Sequence, residues 1–381
     1  MKSATRILYL DYTNNIGLGG GQRSLSLLVR NLDRERYEPL IAAPPGERML
    51  ELIGEDVRRF ELPLGSSFRA LSRDEAGWSR LPAAAFSAWP AVRLVRRLVR
   101  EQRVALIHAN NLKMLLLAAA ACPRLPRFWH VRDIFPAKPA VQSILAIAAR
   151  LSTRVVSVSR AVASHLPPGV KNRVLYNAVD LPDLPARPHT VDWADRPPTI
   201  GFIGRLDHWK GLPVLLDAFA KVRTHHPTAR LLVAGDGPEA SRVVGEGVER
   251  LPFQKDLSAV WPRIDIAVVP STEPDPFPRS VIEAMSWGKP VIGSATGGIP
   301  EAIDPGVTGL LFRPGDRGEL ASLLNRVLSD PIARGAMGRN GRERCERMFS
   351  VASQAEKMGL IYQEVLEQKV LEGAAPGCAV A

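Results

Sequence analysis

A chain of 381 residues is too long for one ordinary domain and suits two of about 150 to 200 residues each. With 46% hydrophobic and 23% charged residues it is neither disordered nor low in complexity, and no repeat of 20–50 residues is visible. The net charge of +11 is unevenly spread: residues 1–180 hold 27 Lys and Arg against 14 Asp and Glu, whereas residues 181–381 hold 23 against 25. A first half at +13 and a second at −2 point to an anionic partner for the first, with nucleic acid, an anionic membrane surface and an acidic carrier lipid as candidates.

The amino terminus, MKSATRILYLDY, predicts no signal peptide, because its apolar run at 7–10 is too short. The longest apolar run, 114–122, falls far below the ~18 residues of a membrane span. Cys122, Cys345 and Cys378 are scattered and odd in number, with neither a metal spacing nor a disulfide framework, so the expected compartment is a reducing cytosol. The closing CAVA fits a prenylation box on paper. The use of 40 Arg against 10 Lys, with abundant Ala, suggests a bacterium of high-GC genome, where that lipidation does not occur.

In chain order, RILYLD (6–11) reads as a buried strand, followed by a glycine-rich turn and an amphipathic helix over QRSLSLLVRNL. EPLIAA, FELPL and VALIHAN read as further strands, with a helix-like stretch at 91–103 between the last two. SILAIAARL is the next helical stretch, and RVVSVS and NRVLYNAVD read as strands. Residues 181–198 hold five prolines and no periodicity, and read as a linker. The alternation then restarts: TIGFIGRL, ARLLVAGDGP, RIDIAVVPS, KPVIGS and GLLFRPGD as strands, LPVLLDAFAKVRTHH as a helix. This predicts an α/β protein of two doubly wound, Rossmann-like domains facing across a cleft, at 1–180 and 199–350. Residues 351–381 read as a carboxyl-terminal helix, a candidate to pack back on the first domain, and a tail.

Four loops at strand ends carry candidate chemistry. In NNIGLGGGQRS (14–24), adjacent glycines expose N–H groups at a helix start, which suits an anion. The dinucleotide fingerprint fails there, since it needs glycine where Gln22 stands, and a plain strand–helix turn remains the alternative. In GFIGRLDHWKGL (201–212), Arg205 and Lys210 are two cations at a strand end that can neutralise a diphosphate, unless they are merely solvated surface charges. In EPDPFPRSVIEAMSWGKPVI (273–292), three prolines stiffen an acidic loop ahead of a helix. Ser280 sits where an N-cap belongs and Glu283 follows three residues on, which predicts a capping box. The same geometry gathers Asp275, Glu283 and a helix N-terminus, donors for phosphate and acceptors for sugar hydroxyls. In SATGGIPE (294–301), Gly297 and Gly298 permit close backbone approach, with Glu301 just beyond; a tight turn with Pro300 near N1 is the alternative.

DPFPRSVIEAMSWGKPVIGSATGGIPE resembles the nucleotide-sugar signature of the family-4 retaining glycosyltransferases of the GT-B fold. GGGQRSL, LIHANN, WHVRD, VSVSRAV, YNAVD and GRLDHWKG resemble other segments of that family in the same order, over residues 6–365. The resemblance implies transfer of a sugar, with retention, from a UDP-, GDP- or ADP-sugar to a glycan or lipid-linked acceptor, as in polysaccharide or lipopolysaccharide assembly. It implies no catalytic metal and no cofactor, and the chain contains no Asp-x-Asp. Arg205 and Lys210 would bind the diphosphate, Glu283 the ribose, and Asp275 the transferred sugar. The family has Glu at that last place, and Glu273 is the alternative contact. Ser280 and Glu301 would border the donor, the backbone of Gly297 and Gly298 would meet it, and Gly20 and Gly21 would approach the phosphates or acceptor. His130 would lie near the reacting centre. The rival readings are a nucleotide-sugar epimerase or hydrolase of the same fold and a catalytically silent sugar-binding scaffold.

AVRLVRRLVREQR (91–103) combines five arginines with an apolar stripe of Val92, Val95, Leu98 and Val99. The stripe suits packing on the first sheet, while the arginines suit the inner face of an anionic plasma membrane. No aromatic–basic interleaving supports nucleic acid.

Overall fold

The computed structural model describes residues 4–12, 19–70, 81–184 and 196–374. They form two units, Met1–Val158 with Val162–Leu175 and Val351–Ala381, and Ser159–Ala161 with Tyr176–Ser350. Most of the proline-rich stretch at 181–198, the loop at 14–18 and Cys378 with the CAVA tail lie outside the described residues.

The first unit runs β1 (Thr5–Leu10), α1 (Gly20–Asn31), β2 (Tyr37–Ala43), β3 (Arg58–Glu61), α2 (Ser66–Arg69), α3 (Leu81–Glu101), β4 (Leu106–Ala109), α4 (Leu112–Ala121), β5 (Arg127–Val131), α5 (Pro139–Leu151), β6 (Arg154–Ser157), α6 (Arg160–Ala163) and β7 (Asn172–Val174). Its seven strands are all parallel, in the order β3-β2-β1-β4-β5-β6-β7. The run Ile7, Leu8, Tyr9, Leu10 is wholly buried, as expected of a central parallel strand covered on both faces. The order reverses between β1 and β4, and at such a switch point the loops beyond the strand ends part to leave a ligand crevice.

In the first unit, three elements depart most from the sequence reading. Helix α3 begins at Leu81 rather than 91, with Pro90 inside it. Its buried stripe of Ala84, Ala88, Ala91, Val92, Val95 and Leu98 runs past Pro90, which faces outward, so packing overrides a residue that ordinarily ends a helix. Helix α4 is apolar on nearly every side and has no helical periodicity to detect. NRVLYNAVD pairs as a strand only over β7; beyond it, Val179 bridges to Ser350.

The second unit runs β8 (Thr199–Ile203), α7 (Leu212–Arg223), β9 (Arg230–Ala234), β10 (Val248–Leu251), β11 (Ile266–Val269), α8 (Arg279–Ser286), β12 (Val291–Ser294), α9 (Ile299–Ala302), β13 (Gly309–Phe312), α10 (Arg317–Ser329) and α11 (Pro331–Phe349). Its six strands are parallel, ordered β10-β9-β8-β11-β12-β13, with the switch point between β8 and β11. Phe202, Leu215, Phe219, Val268, Ile292, Phe312 and Leu324 fill one continuous core. Each such side chain contributes about 1.5–3 kcal/mol by leaving water.

The last helix, α12 (Val351–Ala374), belongs to the first unit. Met358, Ile361, Tyr362 and Val365 join the core of Ile7, Tyr9, Leu25 and Tyr37. The Tyr37 hydroxyl donates to the Gly359 carbonyl at 2.8 Å.

Candidate active site

At the switch point of the second unit, the loop leaving β8 and the loop leaving β11 are packed backbone against backbone. Gly211 caps α7 in the left-handed region (φ 76°), and a Cβ there would stand 1.8 Å from the Pro270 carbonyl oxygen. The Thr272 amide donates to the Trp209 carbonyl at 2.8 Å. This contact brings Lys210, from the first loop, against Asp275, from the second. Nζ lies 2.5 Å from Oδ2, and the two side chains are only 17% and 5% exposed. The ammonium also stands 4.1 Å from the centre of the Trp209 ring, and the Ser271 hydroxyl reaches Oδ2 at 3.5 Å. Of the two acids in the loop, Asp275 points inward and Glu273 is exposed. Arg205 is half-exposed and forked onto Asp207, with Nε–Oδ2 2.9 Å and Nη2–Oδ1 3.1 Å.

The predicted capping box does not form. Pro278 takes the N-cap of α8 in an extended conformation, no side chain caps the helix, and Ser280 becomes its second residue. A proline with φ fixed near its N-cap value needs no hydroxyl to set the helix entry. Glu283, one turn in, instead pairs with Arg279 at 3.1 Å, and Arg279 also donates to the Ala178 carbonyl at 2.6 Å.

The glycine pair approaches its own chain. Gly297 (φ 55°) could carry no Cβ, which would fall 2.1 Å from the Asp275 carbonyl oxygen, and at Gly298 one would fall 2.3 Å from that of Pro276. The Gly298 amide, expected to meet a donor, is spent on the Asp275 carbonyl at 2.7 Å. The two glycines therefore clamp the acidic loop in place. Glu301 is likewise committed: it accepts from the Arg160 and Ala161 amides at 2.8 and 2.7 Å and from the Tyr176 hydroxyl at 3.1 Å. Burial, and then this carboxylate, push the Tyr176 phenol above its usual range.

In the first unit, polar side chains gather at the carboxyl ends of β1, β4 and β5. Asp11, just past β1, is buried; it accepts from Asn110 at 2.8 Å, and burial raises its carboxyl above the ordinary range. Arg132 donates to Asn110 Oδ1 at 2.6 Å. Gly21 lies in the first turn of α1, where a Cβ would come 3.0 Å from Arg132 Cδ, and Gly20 opens that helix. Gln22, the residue that breaks the dinucleotide pattern, is buried and donates to Glu47 at 2.6 Å and to Asp11 at 3.5 Å.

His130 is wholly buried on β5. Its Nδ1 lies 3.1 Å from His108 Nε2 and 3.3 Å from Arg132 Nη2, and its Nε2 is buried without a hydrogen-bond partner among the described residues. His108 Nδ1 lies 2.6 Å from the Tyr362 hydroxyl, itself 2.9 Å from that of Tyr9. Burial, then the Arg132 charge, push the His108 imidazole down to about 3; the same causes and His108 hold His130 well below its usual value. Asp11, Asn110 and Arg132 were findable in the sequence, as polar residues ending apolar strand runs. His108 reads there as a core residue of β4, and nothing in the sequence joins Tyr362, on the last helix, to it.

Two family models match the chain: Glycosyltransferase Family 4 over residues 18–182 and Glycosyl transferases group 1 over residues 197–330. A D-inositol 3-phosphate glycosyltransferase of Corynebacterium jeikeium is 32% identical over 188 residues, covering 45% of this chain and 44% of the relative. The chain thus spans about half the length of the curated relatives it matches. Among solved structures, Anabaena HepE in complex with UDP-glucose superposes with a TM-score of 0.74 at 24% identity, covering 94% of this chain and 100% of that one. Sucrose-phosphate synthase of Thermosynechococcus elongatus gives 0.77 at 21%, covering 96% and 100%.

Proposed function

The chain belongs to the family-4 glycosyltransferases of the GT-B fold, and from that premise we propose that it transfers a sugar from a nucleotide diphosphate donor to a glycan or lipid-linked acceptor, with retention of configuration and without a catalytic metal. The observation that carries this reading is the Lys210–Asp275 pair, held at a switch point by two loops locked backbone to backbone. Lys210 has three N–H donors. One serves Asp275, and the others are available to a donor pyrophosphate, where they stabilise the charge that develops as the nucleotide leaves. Arg205 adds a second cation on the same loop, and the first turn of α8, uncapped by any side chain, adds main-chain donors. Asp275, rather than the exposed Glu273, receives a hydroxyl of the transferred sugar. Glu283, steered by Arg279, faces the ribose, with Ser280 beside it. His130, Gly20 and Gly21 are the proposed substrate contacts of the first unit.

The test is thermal stability against UDP-, GDP- and ADP-sugars. A donor at 100 times its dissociation constant adds about 2.7 kcal/mol to the native state, seen as a raised midpoint. If no nucleotide sugar raises it, the reading fails. Consumption of a stabilising donor with no acceptor present would instead indicate an epimerase or hydrolase.

A lipid-linked acceptor would be met at the inner face of the plasma membrane. No described helix is long and apolar enough to cross a membrane. The buried stripe of α3 packs within the first unit, while Arg93, Arg96, Arg97 and Arg100 stay exposed beside Phe86 (85% exposed) and Trp89 (51%). Such a face suits anionic headgroups with shallow aromatic insertion. The protein is expected to cosediment with phosphatidylglycerol vesicles but not phosphatidylcholine vesicles, and to be released by about 1 M salt. Equal binding to both vesicles, or undiminished binding by an R93E/R97E/R100E variant, would remove α3 from this role.

A further inference from the structure

The chain of hydrogen bonds behind His130 has a direction, and the Arg132 contact reveals it. A guanidinium can only donate, so its Nη2, 3.3 Å from His130 Nδ1, requires a lone pair there. His130 is neutral, so its one proton is on Nε2. His108 Nε2, 3.1 Å from the same Nδ1, must then be the donor of that bond, which leaves His108 Nδ1 as an acceptor. The Tyr362 hydroxyl, 2.6 Å away, donates to it and accepts from Tyr9 at 2.9 Å. From Tyr9 to His130 Nδ1, every donor meets an acceptor in this one polarity. The reverse polarity would put an N–H of His130 against the guanidinium.

We propose that Tyr362, acting through His108 and supported by Arg132, fixes His130 in the tautomer that carries its proton on Nε2, so that the partnerless Nε2–H is a preset hydrogen-bond donor for a substrate oxygen. Tyr9, Tyr362 and His108 are positioning residues in this scheme, and α12 takes part in the site although its own side chains touch no reacting atom. The two imidazoles are bracketed by Arg132 past β5, Tyr9 on β1, Tyr362 on α12 and Phe128, whose ring lies parallel to His108. No carboxylate hydrogen-bonds either ring among the described residues, so nothing there pulls the proton to the other nitrogen. The consequence for catalysis rests on the transferase reading; the tautomer does not.

The experiment is nitrogen-15 NMR of the imidazoles in the full-length protein at pH 7, with His130 assigned by its loss in His130→Gln. The expected spectrum shows His130 with a protonated Nε2 and an unprotonated Nδ1, and His108 with the same arrangement. In Tyr362→Phe the 2.6 Å donor to His108 Nδ1 is gone and only the longer 3.3 Å Arg132 contact still favours this polarity, so both rings are expected to become tautomer mixtures. If the competent form falls to about a tenth, kcat falls about tenfold while KM for the donor stays within about twofold. A protonated Nδ1 on His130 in the unaltered protein overturns the proposal whether or not the variant folds, as does a Tyr362→Phe spectrum identical to the parent. Absence of sugar transfer alongside the expected spectrum would sink the transferase reading and leave the relay standing.

Discussion

Replacing Lys210 with methionine is expected to lower the rate of sugar transfer by about 10²–10³-fold, the usual effect of losing one preorganised charge partner of a developing anion. The same change should also cost about 3–5 kcal/mol of stability, because it leaves the nearly buried Asp275 carboxylate without its ion-pair partner. The two effects are separable. Asp275→Asn added to Lys210→Met replaces the stranded charge with a neutral amide and should recover most of the stability but none of the activity. Stability is read from the unfolding midpoint and activity from transfer at a temperature where both variants are folded. Activity within about tenfold of the parent in Lys210→Met would show that the ammonium serves the loop and not the donor. Failure of the double variant to recover stability would show that the loss comes from the missing pair itself and not from a stranded carboxylate. The cycle is informative because the residues are in contact, where additivity is expected to fail.

The second large effect is loss of stability on mild acidification, from the imidazole pair of the first unit. His108 is pushed down to about 3 in the folded protein, against 6.5 for an ordinary histidine, and His130 is held well below that value. Above about pH 6.5 both folded and unfolded chains carry these rings neutral, and the stability they permit is full. As pH falls below 6.5, the unfolded chain takes up protons that the folded one refuses. Stability should then decline by about 1.4 kcal/mol per pH unit for each histidine, toward pH 3 in the case of His108, with His130 adding in the same direction. Asp11 acts in the opposite sense: burial raises its folded carboxyl, so the folded state binds that proton first and is favoured as pH falls through the raised value. Denaturant unfolding at pH 7, 6 and 5 should show the decline, with His108→Gln flattening it by about half. A midpoint unchanged between pH 7 and 5 would mean that the rings are charged or solvated in the folded state, and would also undermine the tautomer assigned to His130.

Much of this architecture is written in the sequence because its causes are local. Central parallel strands are continuous apolar runs, so β1, β2, β8, β11 and β12 stand out. The cations after β8 and the stiff acidic loop after β11 are likewise visible, since residues at the carboxyl ends of such strands are where this topology places ligands. Elements without a periodic signal were not legible: α4 is apolar throughout, and β10 is a short, half-exposed edge strand.

What only the tertiary structure decided was what each polar group touches. Composition and spacing offered Lys210 and Asp275 as separate contacts; the close approach permitted by Gly211 and Gly297 makes them an ion pair. Ser280 and Glu283 matched a capping box, but Pro278 had already set the helix entry. Glu301, expected to border the donor, secures two backbone amides far away in sequence. Tyr362 reaches His108 only because the final helix packs into the core of the first unit. Hydrophobic patterning is repeated along the chain and so survives in one dimension, whereas a hydrogen bond between residues some 250 positions apart exists only once burial has brought them together and removed the water that would otherwise satisfy each.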